Sequence, residues 1–235
     1  MRIVKFMHFL NIINLAKLIV FFHTLIFTFS MPAQAIYIDS DVTDLSTNKK
    51  FHSKSFFNNT KNMNMYNFNM YRIDYPGKKE KSFNIKNGEV IYTPLKKILL
   101  PGEREYFKIL YRGEDDNQER YYRMVITETS LGAFEDKKQN KSFYFTPTIS
   151  LDTYFVVRPK DVNFNYKFNL EKGLIENIGN TYFRVIIHNS CTDKDPDVFY
   201  LLPSQKYEDV TMKKKGNKLI VFMDKFILLD SPCKE

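Results

Sequence analysis

The chain has 235 residues, a formal net charge of +8, 26% charged and 16% aromatic residues, two cysteines and no tryptophan. Only His52 and His188 lie beyond the first 35 residues, too few imidazoles for a histidine-built metal centre. A Gly-rich phosphate loop, a Gly-x-Ser-x-Gly elbow and a His-rich cluster are all missing, which argues against an enzyme and against any cofactor.

At the start, Arg2 and Lys5 precede an apolar run over residues 18–29 that ends in Pro32-Ala33-Gln34-Ala35. Small residues at 33 and 35 after such a run are the cleavage pattern of a secretory signal peptide. The run is shorter than the roughly 20 residues of a spanning helix, so cleavage is the expectation and a retained anchor the rival. Export places the chain in an oxidising compartment, where Cys191 and Cys233 can pair. About 200 residues then remain, enough for two domains of roughly 100 residues each or one large β unit.

Beyond residue 35 no helical period is sustained. Alternating apolar, β-branched and aromatic runs predict strands over 63–75, 89–92, 98–100, 106–111, 120–127 and 143–157. Pro76-Gly77, Thr93-Pro94 and Pro101-Gly102 separate several of them. The polar stretch 132–141 reads as a loop, and Arg158-Pro159-Lys160-Asp161 as a linker. Further strands are expected over 164–170, 174–177, 182–188, 199–202, 207–212, 219–223 and 225–229. Short strands at this spacing predict an all-β chain of two antiparallel sandwiches, residues 36–158 and 159–235. Basic residues are interspersed with acids, so no nucleic-acid partner is expected; the run Lys213-Lys214-Lys215 before Gly216-Asn217 reads as a solvated hairpin tip. Asn58-Asn59-Thr60 and Asn140-Lys141-Ser142 fit a glycosylation sequon, a triplet common by chance in an Asn-rich chain.

Leu99-Leu100-Pro101-Gly102-Glu103, Tyr111-Arg112-Gly113 and Glu119-Arg120-Tyr121-Tyr122-Arg123 resemble the first domain of periplasmic pilus-assembly chaperones, closest to the common-pilus (Ecp) branch. Asn177-Ile178-Gly179-Asn180-Thr181, Tyr200-Leu201-Leu202-Pro203 and Asp224-Lys225-Phe226-Ile227 resemble that branch's second domain. The resemblance implies two immunoglobulin-like sandwiches arranged as a boomerang. It also implies donor-strand complementation, in which the chaperone lends a strand to an incomplete pilin subunit and delivers the subunit to an outer-membrane usher. Whether the unliganded protein self-associates stays open. The alternative is a secreted structural subunit or adhesin of a surface fibre. A subunit would carry an N-terminal extension of alternating apolar residues, whereas residues 39–50 are polar and charged, which favours the chaperone.

On that resemblance the donor strand is 143–151. Phe143, Phe145, Pro147, Ile149 and Leu151 share one face, and Tyr144, Thr146, Thr148 and Ser150 the other. Pro147 suits an edge strand. Tyr154–Val157, continuously apolar, instead reads as part of the chaperone's own core. Family members clamp the subunit's C-terminal carboxylate with an Arg in the first strand and a Lys in the last strand of the first domain. Here residues 36–41 contain no Arg, and Tyr154 stands in the place of that Lys. Tyr154, Arg123 and Arg158 are the candidate anchors in their stead. Lys108 and Glu119 sit where the family tends to carry an ion pair near the domain junction.

Overall fold

The computed structural model describes residues 36–38, 41–45, 49–77, 79–86, 88–131 and 148–233. The expected leader (1–35), the expected loop (132–141) and Phe143, Phe145 and Pro147 lie outside the described residues. In chain order the first half carries β1 (Tyr37–Ile38), β2 (Val42–Leu45), β3 (Phe51–Phe57), β4 (Asn64–Ile73) and β5 (Ser82–Phe83). There follow β6 (Val90–Thr93), β7 (Lys96–Leu99), β8 (Arg104–Tyr111), β9 (Arg120–Ser130) and β10 (Thr148–Val157). The second half carries β11 (Tyr166–Asn169), β12 (Leu174–Asn177), β13 (Phe183–Ile187), β14 (Asp197–Leu201), β15 (Lys206–Glu208), β16 (Lys218–Phe222) and β17 (Lys225–Asp230).

Four sheets result. One has the order β1-β3-β8-β6, and its partner the order β2-β10-β9-β4-β5 with β7 also on β4. Alternation turns Phe56, Phe68, Phe107, Ile109, Ile126 and Phe155 inward, each at most 2% exposed, to form the core between these two sheets. The remaining sheets, β11-β12-β15 and β14-β13-β16-β17, enclose Ile175, Phe183, Val185, Ile187, Met212 and Ile220. Two buried asparagines close the turns that sequence alone marks only as polar. Asn58 donates to the carbonyls of Asn62 and Leu99, and Asn177 to those of Thr181 and Leu201. The Cys191–Cys233 disulfide links the segment after β13 to the one after β17.

The structure departs from the sequence expectations at several elements. The first strand is divided: β1 pairs with β3, whereas β2 crosses to the other sheet and runs parallel to the end of β10, Val42–Leu45 against Tyr154–Val157. That strand lies within the stretch read as merely polar. Strand β3 is unforeseen because His52, Lys54 and Phe56 are its inward residues, and only one of them is a large hydrophobe. The strand expected over 207–212 stops at Glu208. Asp209 then caps a 3-10 turn over Val210–Lys213 by accepting from the Thr211 amide (2.8 Å), which drives Met212 into the core. Residues 158–161 are no loose linker: Arg158 and Pro159 are buried, Lys160 N donates to Asp116 O, and Asp161 exchanges hydrogen bonds with Asn117. Gly179 lets the chain lie against this stretch, since a Cβ there would come within 2.2 Å of the Asn163 carbonyl.

Candidate functional site

The two ends of β10 have different surroundings. From Tyr154 to Val157 the strand has β9 on one side and β2 on the other. Over residues 148–152 it pairs with β9 alone, and its other edge has no strand partner among the described residues. The Tyr154 amide donates to the Asp41 carbonyl and the Arg158 amide to the Leu45 carbonyl. Backbone groups alternate sides along a strand, so the amides of Ser150 and Asp152 point to that open edge. Among side chains, Phe155 and Val157 are core, Leu151 packs against the core's margin, and Ile149 is 44% exposed beyond it. One face thus runs from the protein's own core out to an unshared hydrophobic side chain. Of the five expected donor residues, the described residues include these two, Ile149 and Leu151, on a common face.

A second feature sits where the two pairs of sheets meet. Ile73, Tyr121 and Val156 from the first half pack on Tyr182 and Leu202 from the second. Within this apolar joint Arg158, 3% exposed, contacts Asp44 (Nη2 to Oδ2, 2.9 Å), Glu119 (Nη1 to Oε2, 3.3 Å), the Tyr182 carbonyl (2.8 Å) and Thr181 Oγ1, and lies over the Tyr182 ring. Glu119, only 2% exposed, accepts from Thr181 Oγ1 (2.6 Å), Tyr121 OH (2.6 Å) and the Tyr182 amide. Burial pushes its carboxyl above the usual range against the pull of these donors and of Arg158. Tyr182 closes the ring by donating to Asp44 Oδ1 (2.8 Å), and burial raises its phenol and that of Tyr121.

The expected Lys108–Glu119 pair does not form. Lys108 is an exposed residue of β8, paired with Ser53 and Thr93, and its nearby acid is Glu105. Glu119 does occupy the junction, but its cation is Arg158. That same engagement removes Arg158 from the anchor candidates, because its Nη atoms are already bonded and buried.

The other two candidates come together. Arg123, 27% exposed, pairs with Glu80 (2.8 Å) and more distantly with Asp152 (3.7 Å), and the Tyr154 hydroxyl donates to Glu80 Oε2 (3.4 Å). Burial, then Glu80, raise the Tyr154 phenol. Beside them opens an apolar cavity of about 430 Å³, walled by Val42, Tyr75, Gly77, Tyr154, Tyr182 and Tyr200 among others.

No protein-family model matches the chain. Over 203 residues it is 34% identical to the "Probable fimbrial chaperone EcpE" of Escherichia coli O157:H7, covering 85% of this chain and 86% of that one. The chain belongs to the fimbrial chaperones. Among solved structures, the fold of this fimbrial chaperone matches the periplasmic chaperone SfaE with a TM-score of 0.57 at 9% identity, over 83% of this chain and 98% of that one. It also matches a structure of the Salmonella enterica SafA pilin in complex with the SafB chaperone (TM-score 0.53, 11% identity, 85% and 92% covered). The relatives are chaperones and lend no support to the alternative of a fibre subunit.

Two acids of this fimbrial chaperone's site, Asp44 and Glu80, and one buried lysine of its first core escaped sequence reasoning. Lys54 is 6% exposed inside the first core, with Nζ near the hydroxyls of Thr43 (3.1 Å) and Thr153 (3.4 Å). Asp44 and Glu80 are distant in sequence from the arginines they neutralise, Arg158 and Arg123. Spacing along the chain carries no signal for any of the three.

Proposed function

We propose that this fimbrial chaperone works in the periplasm, exported by a cleaved leader over residues 1–35, and holds one pilin subunit by lending it the outer half of β10. Residues 148–152 carry the reading: they have a strand on one side, two amides aimed at the other, and an exposed Ile149 in line with the core. A subunit lacking one strand would pair its backbone with that edge and bury Ile149 in its groove. In sequence, Phe143 and Phe145, outside the described residues, share the alternation of Ile149 and Leu151. Burying a side chain such as Ile contributes roughly 1.5–3 kcal/mol, so several in register hold a subunit against the costs of ordering. The solved SafA–SafB complex, in which a chaperone of this fold holds a pilin, supports the partner class.

Anchoring of the subunit's terminal carboxylate falls to Arg123 and Tyr154 at the cavity. Release goes to an outer-membrane usher, and the function is binding, with no cofactor. The same uncovered edge would let an empty chaperone pair with a second copy.

The test is Ile149→Asp. Because Ile149 is 44% exposed, the variant is expected to fold with an unchanged melting temperature. Recovery of the co-expressed subunit from the periplasm should fall at least about tenfold, the equivalent of one lost apolar anchor. Undiminished recovery would remove Ile149 from the donor face.

A further inference from the structure

The Arg123 cluster has an electrostatic imbalance. Among the described residues it contains one guanidinium and two carboxylates, Glu80 and Asp152. A third carboxylate brought there would face net repulsion unless one of the residents left. The two residents are not equivalent. Asp152 is 3.7 Å from Arg123 and 44% exposed, whereas Glu80 is 8% exposed and 2.8 Å away. Glu80 also accepts, at 3.4 Å, from the Tyr154 hydroxyl and the Gly77 amide, two residues that wall the apolar cavity. The pairing is close but poorly aligned: among the described residues neither Glu80 Oε1 nor Arg123 Nε, both buried, has a hydrogen-bond partner. A buried acceptor and donor left unsatisfied next to each other cost free energy that a better-placed anion would recover.

We infer that Glu80 is an exchangeable internal carboxylate, which occupies the anion seat of Arg123 and Tyr154 in the empty protein and yields it to the chain-terminal carboxylate of a bound polypeptide. The inference rests on the reading that Arg123 and Tyr154 form that seat. Glu80 competes with the ligand for Arg123, so it tempers the preference for a charged chain end without removing it. A chain end that carries a charge replaces the one it expels, whereas a neutral end would strand Arg123 without an anion at that position. In the absence of a ligand, Glu80 keeps the guanidinium neutralised.

The probes are two peptides of one alternating Val/Thr sequence ending in Tyr, one with a free C-terminal carboxylate and the other amidated. Each is titrated calorimetrically into the intact chain. The wild type should prefer the free acid, Arg123→Gln should abolish the preference, and Glu80→Gln and Glu80→Ala should each widen it at least about tenfold, as expected for a hydrogen bond to a charged group. On the wild-type protein, the ¹³C carboxyl resonance of Glu80 should move with the acid peptide and stay in place with the amide. If the acid preference exists and depends on Arg123, yet neither Glu80 variant widens it and the resonance is still, the seat stands and the exchange is overturned. If no acid preference appears in any variant, or neither peptide binds, the seat itself is wrong and the exchange falls with it.

Discussion

Arg158 shows how one side chain holds two halves of a chain together. It reaches Asp44 and Glu119 from the first half and Thr181 and Tyr182 from the second, with its own side chain and that of Glu119 buried. A buried ion pair need not add stability over an apolar replacement, but removing one partner leaves an uncompensated charge. Arg158→Met should therefore lower the unfolding free energy by about 3–5 kcal/mol, because Glu119 at 2% exposure stays behind. The double variant Arg158→Met/Glu119→Gln should regain at least half of that. Urea titration decides it: a single-variant loss under about 1 kcal/mol, the range of an exposed pair, contradicts the assignment. Sequence reading put Glu119 at the junction and chose the wrong cation for it. Arg158 had the look of a linker residue because a proline and two charges follow it. Its role depends on a fold that brings residues 44, 119, 158 and 181 to one point, and local spacing encodes none of that.

Among elements, legibility followed the purity of the apolar alternation. β12 was anticipated residue for residue over Leu174–Asn177, and β4, β8, β16 and β17 to within about two residues at each end. β3 was missed because Lys54 takes an inward position, and β2 because its place is fixed by parallel pairing to a strand a hundred residues later. For β10 the period-two pattern put Ile149 and Leu151 on one face, while the strand's change from core to open edge near Thr153 becomes visible only once β2 is placed. The disulfide belongs to this scale as well. It closes a 42-residue separation around the β13–β17 sheet, so replacing Cys191 and Cys233 together by Ala should cost about 2–4 kcal/mol through the freer unfolded chain. Calorimetric unfolding of the variant checks this, and a loss under about 1 kcal/mol would show the bridge to be structurally idle.

For the whole molecule, the two halves are joined by a third apolar cluster with a polar knot inside it, and one wall of the cleft cavity is built from each half: Tyr75 and Tyr154 from the first, Tyr182 and Tyr200 from the second. The proposed Arg123 seat lies at the inner end of the open edge, since Arg123 on β9 pairs across from Tyr154 on β10 and reaches Asp152. A polypeptide added parallel to residues 148–152 would bring its C-terminal end toward the proposed Arg123 seat. Amide hydrogen exchange at Ser150 and Asp152, measured in the free chaperone and in its complex with a co-expressed pilin subunit, tests that arrangement most directly. The open edge predicts fast exchange at both amides in the free protein, slow exchange at Leu151, whose amide faces β9, and strong protection of all three in the complex. Slow exchange at Ser150 and Asp152 before any subunit is added, or no change on binding, would contradict it.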